Sequence, residues 1–153
     1  TPYTEPLSRG AIVGLTLAHE PHHIFRAIME GIGFGTRAIL DAMAAAGYRG
    51  TEITVGGGAG ASDLWLQIHA DTAGLPVCVP ASRDAPSVGS AVLAAHGAGH
   101  FATIDDGIAA MVRPGKRIEP RAREMALYAD IYQRYLALYP ALKSVYGQEG
   151  RHA

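Results

Sequence analysis

An α/β fold, with parallel strands joined by crossover helices, is the class this sequence predicts. Short β-branched runs alternate with longer stretches of helical apolar spacing, and glycine stands at most of the junctions. The chain is 48% apolar and 18% charged, the balance of a globular domain with a real core. At 153 residues it has room for one such domain.

Residues 11–17 alternate weakly between Gly10 and the turn at His19–His23, and predict a short strand or extended segment. Pro21 suits the first turn of a helix, where its missing N–H costs nothing. From there Ile24, Phe25, Ile28, Ile32, Ile39, Leu40 and Met43 recur at helical spacing as far as Ala46, with Gly47 as the stop. Arg37 and Asp41 stand one turn apart, as an ion pair on the polar face. A second strand is predicted at residues 51–55 and a second helix at 62–73, stopped by Gly74. Residues 76–79 read as a third extended segment. The polar loop Ala81-Ser82-Arg83-Asp84 then leads into a helix of small residues over 86–97. A short helix near 104–112 follows, and a long one from about 120 to 142 closes the chain. In that last helix Tyr128, Tyr132, Tyr135 and Tyr139 recur at i, i+4, i+7 and i+11, a packing seam.

The formal net charge is −1, so no electrostatic footprint for nucleic acid or a membrane surface is present. No apolar run approaches the roughly 20 residues of a spanning helix. The single Cys78 cannot form an internal disulfide and suits a reducing cytoplasm. The opening Thr1-Pro2-Tyr3-Thr4-Glu5-Pro6, without an initiator Met, reads as the interior of something longer.

The chemistry concentrates at Val55-Gly56-Gly57-Gly58-Ala59-Gly60-Ala61-Ser62-Asp63. A strand enters this stretch and a helix leaves it. The glycines let a ligand touch bare backbone, and the helix N-terminus attracts phosphate or ribose oxygens. Three other readings compete. His19-Glu20-Pro21-His22-His23 matches H-E-x-x-H, but Pro21 leaves His19 outside the helix, so the histidines cannot share one face as a zinc site needs. Gly56-x-Gly58-x-x-Ala61 fits the dinucleotide fingerprint G-x-G-x-x-A of a Rossmann module. The acid expected about 20 residues on should end the next strand. Here that segment ends in Pro80, with Asp84 further into a loop. A tight strand–helix turn with no ligand is the third.

Arg9-Gly10-Ala11-Ile12-Val13-Gly14-Leu15, then seven residues, then His23-Ile24-Phe25-Arg26-Ala27-Ile28-Met29-Glu30, resembles a signature of the FGGY carbohydrate kinases, which include glycerol kinase, xylulokinase and ribulokinase. Val55-Gly56-Gly57-Gly58-Ala59 with Leu64-Trp65-Leu66-Gln67-Ile68-His69-Ala70-Asp71 is similar to that family's adenosine-contacting strand–turn–helix. Gly74-Leu75-Pro76-Val77, Ser87-Val88-Gly89-Ser90-Ala91 and the Tyr-rich closing helix with its Leu138-Tyr139-Pro140-Ala141-Leu142 end match in order.

The resemblance implies a ribonuclease-H-like domain of the actin/hexokinase/Hsp70-like ATPases, incomplete at its N-terminal side and ending in a long helix. Residues 1–153 would be the C-terminal, nucleotide-side domain of a kinase that moves the γ-phosphoryl of ATP to a sugar or polyol hydroxyl with Mg2+. Gly58 falls where the family's second glycine meets the nucleotide, Gly57 and Ala59 complete the backbone cradle, Ser62 reaches adenine or ribose, and Asp63 is either a further nucleotide contact or only a first-turn acid that favours the helix dipole. The catalytic base, the first phosphate loop and the sugar-binding residues belong to the N-terminal domain, absent from this chain. By the same resemblance, the family's second phosphate turn is expected before Thr1. The segment alone is therefore expected to be catalytically inactive, and to self-associate through the sheet edge and helix faces that missing strands leave uncovered.

Overall fold

The computed structural model describes residue 6 and residues 8–82 and 84–146. The chain's opening residues 1–5 and Arg83 of the polar loop lie outside them. The elements run α1 (Pro21–Ala45), β1 (Ile53–Thr54), a 3-10 turn (Gly57–Ala61), α2 (Asp63–Ala73), β2 (Val77–Val79), α3 (Ala85–Gly97), α4 (Ile104–Met111), β3 (Lys116–Ile118) and α5 (Ala122–Tyr146). They gather into two compact units. Of the described residues, one comprises those through Arg49, Asp71–Ala73 and those from Arg121; the other comprises those within Gly50–Ala70 and Gly74–Pro120.

In the second unit a three-stranded sheet has the order β1-β2-β3. β1 and β2 are parallel, with Ile53 opposite Val77, and α2 makes the crossover between them. Alternation sends Ile53, Val55, Val77, Val79 and Ile118 to one face, where they pack with Trp65, Leu66 and Ala70 of α2. Helix α2 starts because Ser62 accepts the N–H of Trp65, and it stops at Gly74, which takes φ +69. Asp84 caps α3 through the N–H of Ser87, and Thr103 with Asp106 forms a capping box on α4. Gly107 lets these two helices approach, since a Cβ there would lie 2.9 Å from Cγ1 of Val92.

Two expectations need correction here. Residues 11–17 form no strand and have no ladder partner: Gly14 takes φ +87, Leu17 stands in a turn closed by His19 N–H on the Thr16 carbonyl, and Ile12, Val13, Leu15 and Leu17 are exposed. The sheet also has an antiparallel member, β3, with Val79 opposite Lys116 and Val77 opposite Ile118. Its three residues carry only one apolar side chain, too little for a periodic signal.

In the first unit α1 and α5 pack around Phe34, Ala38, Tyr128 and Tyr132, with Tyr135 at the margin. The tyrosine seam serves packing, as its spacing predicts. Its hydroxyls also find partners: Tyr128 donates to Glu30 (2.8 Å) while accepting from Arg26 (2.9 Å), and Tyr132 donates to Asp41 (2.7 Å). Arg37 lies 4.3 Å over the Tyr132 ring, so Arg37 and Asp41 both serve Tyr132. The buried carboxylate of Asp71 receives the Arg121 guanidinium (2.6 and 3.1 Å) and the Arg121 N–H (2.8 Å), which fixes the start of α5.

The apolar face of α1 is the surprise. Phe25, Ile28, Ile32, Ile39 and Met43 fall along one stripe, and each remains 42% to 63% exposed. Periodicity identified the helix but not the face that packs. Among the described residues no helix is long and apolar enough to cross a membrane.

Candidate functional site

Because β1 and β2 are parallel, their carboxyl ends lie together, where open α/β sheets bind ligands. A hollow of about 290 Å³ sits there, lined by Val55, Gly56–Gly58, Gly60, Ala61, Val79–Ser82 and Lys116. The turn forming its floor is a single 3-10 stretch, which places one residue, Ser62, between the turn and α2.

The glycines in this turn answer different demands. Gly57 adopts φ +73, a conformation that side chains resist. Gly60 packs too closely for a Cβ, which would meet Cγ1 of Val79 at 2.9 Å. Gly58 needs neither concession. Its φ is not positive, and a Cβ there would meet nothing within 4 Å. Nothing in the fold requires glycine at this position, and it faces the hollow.

Of the residues expected at a nucleotide, Gly57 and Gly58 line the hollow, whereas Ala59, Ser62 and Asp63 do not. The Ser62 hydroxyl accepts the Trp65 N–H at 3.3 Å and keeps its own O–H free to donate. Asp63, in the first turn of α2, pairs at 2.5 Å with Lys116. Lys116 is the wall residue that sequence reasoning missed. It lies in the short β3, and only the pairing with Val79 brings it to the glycine turn. Gly115 makes that approach possible, because a Cβ there would overlap the carbonyl oxygen of Val79.

The opposite face of the sheet carries a different chemistry. Arg117 bridges Glu52 (2.7 Å) and Glu119 (2.7 Å), and reaches Cys78 Sγ at 3.2 Å. Hydrogen bonds from Arg117, then from Cys78, hold the Glu52 carboxyl below the usual range, while burial and the neighbouring Glu52 push the Cys78 thiol up. A thiol raised in this way is a poor nucleophile.

The other two motif readings find no matching geometry. Pro21 opens α1, so His19 stands outside the helix, and its Nδ1 accepts from Thr16 (3.0 Å). His23 accepts the Glu20 N–H at 3.1 Å, making this stretch a helix cap. The strand following α2 ends at Val79-Pro80 with no acid at its tip, and Asp84 is spent on capping α3. A dinucleotide's ribose has no partner there.

Comparison with known proteins identifies the family. The profile of the FGGY family of carbohydrate kinases, C-terminal domain, matches residues 1–98. A xylulose kinase of Bacillus subtilis is 32% identical over 146 residues, covering 95% of this chain and 29% of that protein. A glycerol kinase of Citrifermentans bemidjiense is 42% identical over 122 residues, covering 79% of this chain and 24% of that protein. The crystal structure of xylulose kinase from Rhodospirillum rubrum superposes with a TM-score of 0.82 at 29% identity, over 94% of this chain and 29% of that one. The chain thus spans under a third of the length of these relatives. Family profile, relatives and fold agree: the chain belongs to the FGGY family of carbohydrate kinases.

Proposed function

We propose that residues 1–153 form the nucleotide-side part of an ATP-dependent kinase for a sugar or polyol, with a ribonuclease-H-like core incomplete at its N-terminal side. The observation that carries this reading is the hollow at the carboxyl ends of β1 and β2, floored by backbone at Gly56–Gly58. A glycine whose Cβ position is open, and whose φ does not call for glycine, suits a wall that a ligand must touch. Gly57 and Gly58 present backbone groups to the adenosine side, and Ala59 follows them outside the wall of the hollow. Ser62 offers its remaining O–H, and Asp63 acts through Lys116.

Phosphoryl transfer needs groups positioned around the γ-phosphate as well as the nucleotide. Among the described residues lining the hollow there is no carboxylate. These residues therefore do not form a magnesium site. The catalytic base, sugar contacts and metal ligands would come from residues outside 1–153, so the chain by itself binds nucleotide weakly and transfers nothing. A cytoplasmic setting suits the free thiol of Cys78. Self-association suits the exposed stripe of α1.

Titrating the longer kinase with ATP and with NAD tests the reading. Saturable binding of ATP without a response to NAD supports it, and the reverse pattern rejects it. Coupled ADP-release assays against ketopentoses, polyols and glycerol would then name the acceptor.

A further inference from the structure

We propose that Lys116 is the cation that receives a nucleotide's phosphate at the glycine turn. The proposal rests on reading the hollow as the nucleotide side of the kinase. Among the described residues lining that hollow, Lys116 alone is ionisable. The other walls are glycine, alanine, valine and proline, with the Ser82 hydroxyl. Their backbone N–H groups can orient a phosphate but supply no net charge.

Among the described residues, the basic side chains adjoining Lys116 are otherwise engaged. Arg117 is bound to Glu52 and Glu119, and Arg113 donates to the Ala109 carbonyl at the end of α4 (3.3 Å). Neither lines the glycine hollow. Helix α2 cannot replace a cation either, because Asp63 sets a carboxylate in its first turn and offsets the positive end of the dipole.

Lys116 is fixed where it is needed and remains available. The Val79–Lys116 pairing and the tight passage at Gly115 anchor its backbone at the carboxyl ends of β1 and β2. Its side chain is half exposed and its partner Asp63 is 78% exposed. An ion pair so open to water contributes little and exchanges readily. An ammonium on a four-carbon stem can therefore turn from Asp63 to a phosphate that brings more charge. Asp63 acts as its holder, a positioning residue.

The chain itself, titrated with adenosine and with ADP at low salt, provides the test. Amide shifts of Gly57 and Gly58 report occupancy. Lys116 predicts that ADP binds about tenfold tighter than adenosine, a difference that salt diminishes. Lys116→Met should bring ADP down to the adenosine level and leave adenosine within about twofold, while Lys116→Arg keeps most of the difference. If Lys116→Met binds ADP like the wild type, the proposal is overturned. Equal losses for adenosine and ADP in a variant with native circular dichroism also overturn it, because they mark a structural role. A folded wild-type chain that binds neither ligand removes the nucleotide-side reading and this proposal together.

Discussion

Replacing the glycines of the 57–60 turn one at a time separates packing from ligand contact, and Gly58→Val is the decisive member. The new side chain enters open space, and the backbone does not occupy the left-handed region. Its cost to folding should stay within about 0.5 kcal/mol, as for a surface change away from strained features. Its two methyl groups are added at the wall of a hollow of only about 290 Å³, where a ligand would meet backbone. Losing one or two neutral hydrogen bonds at about 0.5–1.5 kcal/mol each lowers nucleotide affinity on the order of tenfold. Gly57→Ala should behave in the opposite way. At φ +73 a Cβ costs about 1–2 kcal/mol of stability, even before a ligand is considered. Gly60→Ala forces a Cβ to 2.9 Å from Val79, an overpacking worth about 1–3 kcal/mol. Urea unfolding and nucleotide titration of all three variants, side by side, provide the assay. The reasoning fails if Gly58→Val unfolds as early as Gly57→Ala, or if it binds nucleotide with wild-type affinity.

The other predictions follow from the packing and electrostatics of the two units. Arg121→Met leaves the buried Asp71 carboxylate without its guanidinium and should destabilise by about 3 kcal/mol, more than Asp71→Asn, which leaves a half-exposed arginine that still has Glu124 at 3.8 Å; comparative urea midpoints decide, and equal losses contradict the asymmetry. Glu52 and Asp84 are both held below the ordinary carboxylate range, Glu52 by Arg117 and Asp84 by hydrogen bonds from Ser87. A depressed folded value stabilises above the unfolded value of about 4 and is lost as pH falls through the folded one. The urea midpoint should therefore drop below about pH 4, with a shallower slope in Glu52→Gln; an unchanged slope would remove Glu52 from the account. Finally, the isolated chain should self-associate through the α1 stripe, as sedimentation equilibrium over a concentration series would register. Ile32→Lys with Ile39→Lys should return it to monomer, and a wild-type chain that is strictly monomeric refutes the idea.

The turn at the heart of the site was legible because glycine, β-branched strand and helix cap are local signals, all printed within 53–65. Ser62 as cap and Gly74 as stop follow from side-chain chemistry a few residues away. What lay hidden was the wall opposite. Lys116 stands 59 positions beyond Gly57 in the chain and reaches the hollow by an antiparallel pairing of three residues. Such pairing depends on long-range packing, which no local period encodes. Asp63 shows the same limit: its place in a first helical turn was readable, and its lysine partner was not.

Helix α1 takes this limit a step further. Its polar residues Arg26, Glu30, Arg37 and Asp41 all face the tyrosines of α5, where each engages a ring or a hydroxyl. A rule that buries the apolar stripe and exposes the charges would set this helix the wrong way round against α5. The tyrosines resolve the contradiction, because each carries an apolar ring for Phe34 to pack on and a hydroxyl for the charges to bind. With the polar face satisfied in that way, Phe25, Ile28, Ile32, Ile39 and Met43 are left for a different neighbour. Apolar side chains spaced along more than four turns of one helix are costly to leave in water. A two-faced helix of this kind belongs in the middle of a layered structure, with α5 on one side and a further apolar surface on the other.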